Sequence, residues 1–366
     1  MAVLSEEQTM LRDMAREWTR NESPVAKFRK VRDGDFPAGY DPAVYTGLAE
    51  MGWTGIAIPE AYGGTDFGWL SLGLIIEEMG KTLTPSPIAA CALAASAILM
   101  GGNDAVKSQW LPRLASGQAI GALAIDEDPR HAPDRIATTA TPHGEGWLID
   151  GTKAFVHEAA GAHLLVVAAR TEQGTALFAV PADAVGVSLS ARNPTDSRGH
   201  AEVTLADVAV DGSAKLGDER VLAAVLDQAR TLAAAELLGM SQQAFDVTLA
   251  YLKQRVQFGE IIARFQALQH RMADLFTKIE LMRSAVEGAL AALDSGVDVP
   301  ATVAVAKATA NEVAHLVSRE AIQLHGGIGM TDEYDIGFYI KRARVLENAW
   351  GSAAFHRNRF AEMAGY

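Results

Sequence analysis

Tyr251–Gly259 reads YLKQRVQFG, and Phe265-Gln266 and His270–Leu275 follow it closely. The stretch joins two long helical patterns, one over residues 227–254 and one over 264–294. Arg255 offers a permanent cation with several donors. Phe258 offers an apolar face. Taken singly, Arg255 reads as a solvated arginine at a helix end and Phe258 as a core residue. What surrounds them decides between those readings and a ligand site.

Downstream, Phe265, Leu268, Met272, Leu275, Ile279, Met282, Val286, Leu290 and Leu293 step by three or four. Val303, Ala306, Ala310, Val313, Val317, Ala321 and Leu324 do the same. Asp294–Pro300 separates the two stripes. Such long stripes need partner helices to bury them. A C-terminal four-helix bundle over residues 219–366 follows, with helices near 227–254, 264–294, 301–324 and 334–362. Small residues along the third helix suit close packing, including against another subunit.

Upstream, residues 121–218 change character. Trp147-Leu148-Ile149 meets Asp150-Gly151 and then Thr152–Val156, and Asp-Gly between two such runs signals a hairpin. Leu164–Ala168, Ala176–Val180 and Val203–Val210 follow at short spacing. This predicts a middle antiparallel β-domain, a small sandwich or barrel. Residues 1–120 read as helices. Ser5 before Glu6 and Glu7 is an N-cap with acids in the first turn. Pro24 interrupts, and Ala43–Met51, Leu70–Met79, Pro87–Met100 and Trp110–Ala115 are further helical segments. Gly52-Trp53, Pro59-Glu60 and Gly63-Gly64 mark a connecting loop. The fold class is α+β and multidomain.

The 366 residues carry a net charge of −13 with no run of Lys or Arg. A sequence-independent grip on nucleic acid is therefore excluded, and an anionic ligand must be met by local cations. Cys91 is the one cysteine. No disulfide forms within the chain, so cytoplasmic residence is the expectation. Cys91 reads as a small buried hydrophobe. The opening Met1–Glu7 lacks a basic segment followed by an apolar one, which argues against a signal peptide. No apolar run suits a membrane span.

Several segments, in order, resemble the acyl-CoA dehydrogenases. They are Gly52-Trp53 with Pro59–Gly64, then Ala234-Ala235-Glu236-Leu237-Leu238-Gly239, then Tyr251–Gly259 with Phe265-Gln266, and finally Gln323-Leu324-His325-Gly326-Gly327. The resemblance implies that family's three-part fold, FAD as cofactor, an acyl-CoA substrate and electron delivery to an electron-transfer flavoprotein. There is no strand–GxGxxG–helix unit, so a Rossmann grip on FAD is absent. The family's counterparts of Arg255 and Phe258 bind the pyrophosphate and adenosine of FAD. Gln266 belongs to the same stretch. Gln323, Gly326 and Gly327 match a loop that reaches FAD from a neighbouring subunit, which implies an oligomer. Helix C-termini and turns also use such glycines. His270 reads as an interior or interface histidine; His325 stays undecided.

The family's reaction needs a base for the α-proton of the thioester, and a water-shielded carboxylate suits it. The chain departs from the pattern at both usual positions. In Leu346-Glu347-Asn348-Ala349-Trp350-Gly351-Ser352 the base position holds Trp350, with Ser352 in the family's Gly-Ser. In Asp227-Gln228-Ala229-Arg230 it holds Ala229. Glu347 is the weak remaining candidate and also reads as a salt-bridged acid beside Arg344; Asp227 is weaker still. The family's flavin-ring contacts are altered too. Its Thr-Glu-Pro region reads Ile125–Asp134 here, and its Trp-Ile-Thr reads Phe155-Val156-His157, leaving Phe155 as a stacking face.

These departures resemble the small subunits of two-component acyl-CoA dehydrogenases of the pimeloyl-CoA and steroid side-chain types. His325–Glu333 (HGGIGMTDE) matches their signature. The resemblance implies a homologous, base-bearing large subunit, a heterotetramer, and FAD between unlike chains. Two alternatives stand beside it. One is a self-sufficient homo-oligomeric flavoenzyme using Glu347, His157 or Asp126 in unusual chemistry. The other is a structural homologue without a redox role.

Overall fold

A computed structural model describes residues 4–366; Met1, Ala2 and Val3, part of the expected absence of a signal peptide, lie outside the described residues. Six helices come first: α1 (Glu6–Glu22), α2 (Val25–Asp33), α3 (Pro42–Glu50), α4 (Gly68–Thr82), α5 (Ile88–Gly101) and α6 (Asp104–Ala115). Seven strands follow: β1 (Gly121–Ala124), β2 (Thr139–His143), β3 (Gly146–Val156), β4 (Leu164–Thr171), β5 (Gly174–Pro181), β6 (Val187–Ala191) and β7 (Ala201–Asp211). The long α7 (Glu219–Gln254) leads to a hairpin of β8 (Val256–Gln257) and β9 (Glu260–Ile261). The chain ends in α8 (Gln266–Ser295), α9 (Val299–His325), α10 (Ile336–Asn348) and α11 (Ala353–Met363).

The chain forms two compact units. One gathers Met1–Phe28, Trp69–Thr84 and Arg230–Tyr366; the other gathers Arg29–Gly68 and Pro85–Ala229.

In the first unit α9 is the hub, packed on α8, α10 and α11. Its inner face buries Val303, Ala306, Ala310, Val313, Val317, Ala321 and Leu324, the stripe read from the sequence. α8 buries Met272, Leu275, Ile279, Met282, Val286 and Leu290. α4 crosses α7 at very short range. A Cβ on Gly239 would stand 1.8 Å from the Glu77 carbonyl oxygen, and one on Gly80 would stand 2.5 Å from that of Glu236. The glycine of the Ala234–Gly239 motif is therefore a packing requirement. The glutamate of that motif, Glu236, holds Arg342 of α10 through two bonds of 2.8 and 2.9 Å. Ser5 caps α1 and Gln8 closes the capping box.

The C-terminal pattern read as one helix over 334–362 is two helices, broken at Ala349–Ser352. Trp350 and Gly351 both adopt positive φ, +60° and +109°, which no helix accommodates. The apolar period continues across the break, so the pattern alone conceals it.

The second unit centres on a seven-stranded sheet in the order β1-β4-β2-β3-β7-β6, with β5 on the other edge of β4. The expected antiparallel pairing holds for β2·β3, β3·β7, β6·β7 and β4·β5. β4 adds parallel pairing with β1 and, at Arg170, with β2. The sheet is thus mixed. The Asp150-Gly151 hairpin does not form. β3 runs straight through it, paired with β2 on one side and β7 on the other, and turns instead before Gly146. Gly151 supports a bulge. At φ +149° its missing Cβ would lie 2.5 Å from Thr138 Oγ1. A turn signal is overruled when both edges of the segment are already paired. Cys91 is buried beside Tyr45, 3.3 Å from its hydroxyl, and burial pushes its thiol up to about 11. It packs as a small hydrophobe.

Candidate functional site

The YLKQRVQFG stretch ends α7 and forms the β8–β9 hairpin. Phe258 and Gly259 make its two-residue turn at φ +57° and +79°, a conformation that matches the twist of the paired strands. Phe258 stands at the tip, 90% exposed, with its ring edge-on to Phe265 at 6.2 Å. Arg255 is exposed at the base of the hairpin and forms no ion pair among the described residues. Gln266 is exposed at the start of α8.

Gln323, Gly326 and Gly327 lie exposed where α9 ends. Gly326 closes the helix at φ +65°, and the space beyond both glycines is open. His325, undecided from sequence, is buried here. Its ring stacks on Tyr251 at 4.5 Å and lies 4.8 Å from Tyr334, and its Nδ1–H donates to the Ala321 carbonyl at 2.7 Å. Burial lowers its pKa. Tyr251 sits one turn before Arg255, so this stack brings the ends of α7 and α9 together. A free cation, an aromatic face and bare backbone then share one end of the first unit. That combination suits a phosphate-bearing ligand with a flat ring. His270 is exposed on α8 within this chain.

Both expected base positions are dry and lack an ionisable group. Ala229 is 1% exposed on α7 and Trp350 is 8% exposed in the α10–α11 break. Glu347 is buried as well, but it faces a different set of groups. Its Oε2 accepts from Arg344 Nη1 at 2.9 Å and from His315 Nδ1 at 3.1 Å. The carboxylate is thus ion-paired to Arg344 within α10 and hydrogen-bonded to His315 of α9. Asp227 is buried on α7. Ser352 is exposed, and its hydroxyl accepts from the Phe355 N–H to cap α11.

The sequence reading did not single out the residues that hold the break. Four carbonyls there are captured by remote side chains. Lys307 donates to Leu346 O at 2.8 Å, and Asn311 donates to Glu347 O at 3.0 Å and Gly351 O at 3.2 Å. Arg230 Nε donates to Trp350 O at 3.2 Å, and His356 Nε2–H to the same oxygen at 3.0 Å. A helix end leaves its last carbonyls without partners, and these groups supply them. The signal available in the sequence was Lys307 and Asn311 falling on the buried phase of the α9 stripe.

In the second unit Phe155 sits in the β3 irregularity at φ +51°, 51% exposed. His157 faces His200 with ring centroids 4.3 Å apart. Asp126 is tied to His131 Nδ1 at 2.9 Å. Glu127 accepts from the Ala137 and Thr138 N–H groups and from Lys153 Nζ at 2.7 Å. Lys153 is fully buried and donates also to Ile125 O at 3.1 Å. This clamp folds the loop between β1 and β2 onto β3. Those hydrogen bonds hold Glu127 down to about 2, although burial opposes it, while burial lowers Lys153 to about 8.

Among the described residues no His, Cys, Asp and Glu group could hold a metal, and no helix is long and apolar enough to cross a membrane.

Sequence patterns of the acyl-CoA dehydrogenase N-terminal, middle and C-terminal domains match residues 5–118, 128–211 and 217–365. The chain is 32% identical to the "Probable acyl-CoA dehydrogenase YngJ" of Bacillus subtilis, over 97% of each chain. It is 31% identical to "Acyl-CoA dehydrogenase IpdE2" of Mycolicibacterium smegmatis, over 93% of each. A solved Gly-to-Ala variant of the "Tcur3481-Tcur3483 steroid ACAD" is similar at 32% identity and a TM-score of 0.92, covering 98% of both chains. The chain belongs to the acyl-CoA dehydrogenase family, whose members are FAD-dependent oxidoreductases acting on acyl-CoA thioesters.

Proposed function

We propose that this chain is the base-lacking subunit of a heteromeric acyl-CoA dehydrogenase and shares FAD with a homologous chain that carries the glutamate. The observation that carries the proposal is the pair of buried, non-ionisable residues at the two base positions, Trp350 and Ala229. A thioester α-carbon needs a carboxylate or comparable base. Glu347 is engaged in an ion pair with Arg344 and accepts a hydrogen bond from His315. The steroid enzyme to which the chain is 32% identical carries two names, Tcur3481 and Tcur3483, and IpdE2 is a further relative near one third identity.

In this reading Arg255 neutralises pyrophosphate charge, Phe258 covers the adenosine, and Gln266, Gln323, Gly326 and Gly327 complete the grip on FAD. Phe155 offers a stacking face and Ser352 the hydroxyl at the start of the last helix. When bound, FAD supplies the acceptor for the hydride that leaves the β-carbon. This chain's residues hold the cofactor tail and exclude water, and the partner holds the α-proton. An electron-transfer flavoprotein takes the electrons onward, and cytoplasmic residence suits that partner. The same reading divides the chain into segments 1–120, 121–218 and 219–366.

The test is co-expression with a homologue that carries a glutamate at a base position. The chain alone should be poor in flavin and inactive on any acyl-CoA. The co-purified pair should be yellow and reduce a dye. Arg255→Gln in this chain should cut the pair's flavin content at least tenfold at equal assembly. A homo-oligomer that is active alone would replace this reading with the self-sufficient one, and a colourless, inert pair would favour the structural homologue.

A further inference from the structure

Lys307 is fully buried on α9, and among the described residues it makes two hydrogen bonds and no others: Nζ to Asn311 Oδ1 at 2.6 Å and to Leu346 O at 2.8 Å. An uncharged amine has two N–H bonds, whereas an ammonium has three. Two acceptors therefore match the uncharged amine, and a third N–H in a dry site would go unmet.

The two acceptors lead directly to the break. Leu346 O is one of α10's last carbonyls. Asn311, with its oxygen committed to Lys307, turns its amide to Glu347 O and Gly351 O on either side of Trp350. Trp350 needs such restraint, because a bulky residue at φ +60° is strained.

We propose that Lys307 is a positioning residue whose uncharged amine, acting through Asn311, fixes the turn that presents Trp350, and whose protonation loosens that turn. The proposal rests on the reading of residue 350 as the base-free position, but the turn itself is tested without partner, flavin or substrate.

The charged groups facing Lys307 come from three elements. Arg230 of α7 opposes a second cation and Glu347 of α10 favours one; among the described residues α8 adds none. His356 of α11 lies against the same turn with Nδ1 buried and without a partner, and burial, reinforced by the cations Arg230 and Arg359, keeps it uncharged. Burial brings Lys307 down to about 7, from 10.5 for a solvated lysine. A group lowered in this way binds its proton in the open turn but not in the closed one between those two values. Opening is therefore favoured as pH falls through that window and levels off below it.

Amide exchange at residues 349–356 of the full chain tests this, corrected for intrinsic exchange and referenced to α8. From pH 9.5 towards 7 the opening constant should rise about tenfold per pH unit and then plateau. Lys307→Met should be flat with pH. Glu347→Gln leaves both Lys307 bonds in place and removes the favourable carboxylate, so the plateau should begin at lower pH. His356→Gln should keep the wild-type profile. A pH-independent wild type overturns the proposal, as does Lys307→Met with an unchanged profile. If Lys307→Met does not fold, an unmoved plateau in Glu347→Gln overturns it. Failure of the subunit reading appears separately, as flavin and turnover in the solitary chain.

Discussion

Lys153 and Lys307 are both fully buried, one in each compact unit, and the protein treats them differently. Lys153 has a carboxylate, Glu127, at 2.7 Å. Lys307 has an amide oxygen and a carbonyl. Desolvation acts on both, yet Lys153 falls only to about 8 and Lys307 to about 7. The difference teaches that an amine can be taken out of water by pairing its charge or by giving up its proton. The first route ties two chain segments with an ion pair. The second spends only neutral hydrogen bonds and leaves the site responsive to pH.

The largest effect should come from breaking the charged arrangement. Lys153→Met leaves Glu127 partly buried without its cation and should cost about 3–5 kcal/mol in urea unfolding, the range for orphaning one partner of a buried pair. A loss below about 1 kcal/mol would mean that the two lysines do not differ in kind.

The next effect belongs to the other unit. His356 beside the Lys307 clamp is held far below its solvated value of 6.5. The unfolded chain takes up a proton there that the folded chain refuses, so stability is intact above 6.5 and falls as pH drops below it. The slope should approach about 1.4 kcal/mol per pH unit. His356→Gln keeps a donor for Trp350 O and should remove that component from a pH series of melting curves; an unaltered slope would place the acid sensitivity elsewhere.

The smallest effect converts one arrangement into the other. Glu127→Gln keeps acceptors for the Ala137 and Thr138 amides but removes the charge, so Lys153 should then sit uncharged, as Lys307 does. We expect a loss of about 1 kcal/mol at pH 7 that diminishes as pH rises through about 8, where the wild-type lysine gives up its proton. A loss independent of pH would show that Lys153 keeps its proton without a counter-ion.

Much of this architecture was legible in the residues. The stripes of α8 and α9 need no remote information, because their period states which face is buried. The four motif segments are legible for the same reason, as local strings. Asp150-Gly151 misled because a dipeptide describes its own turn preference and not the strands waiting on both sides of it. The α10–α11 break was hidden because its cause lies far away in sequence: Arg230, Lys307 and Asn311 hold carbonyls 36 to 120 residues downstream of them. The exposure of Arg255 and Phe258 was not legible either. It depends on a two-residue turn whose outward aim follows from the packing of the helices around it.

That outward aim has a consequence for a chain synthesised by itself. A phenylalanine almost wholly in water, next to a glycine and three residues from an exposed arginine, should be open to cleavage by trypsin-like and chymotrypsin-like proteases and to adhesive contacts in a crowded cell. Whatever seats itself on the hairpin therefore also decides how long the solitary polypeptide survives. Its lifetime during a limited digest becomes a simple gauge of assembly.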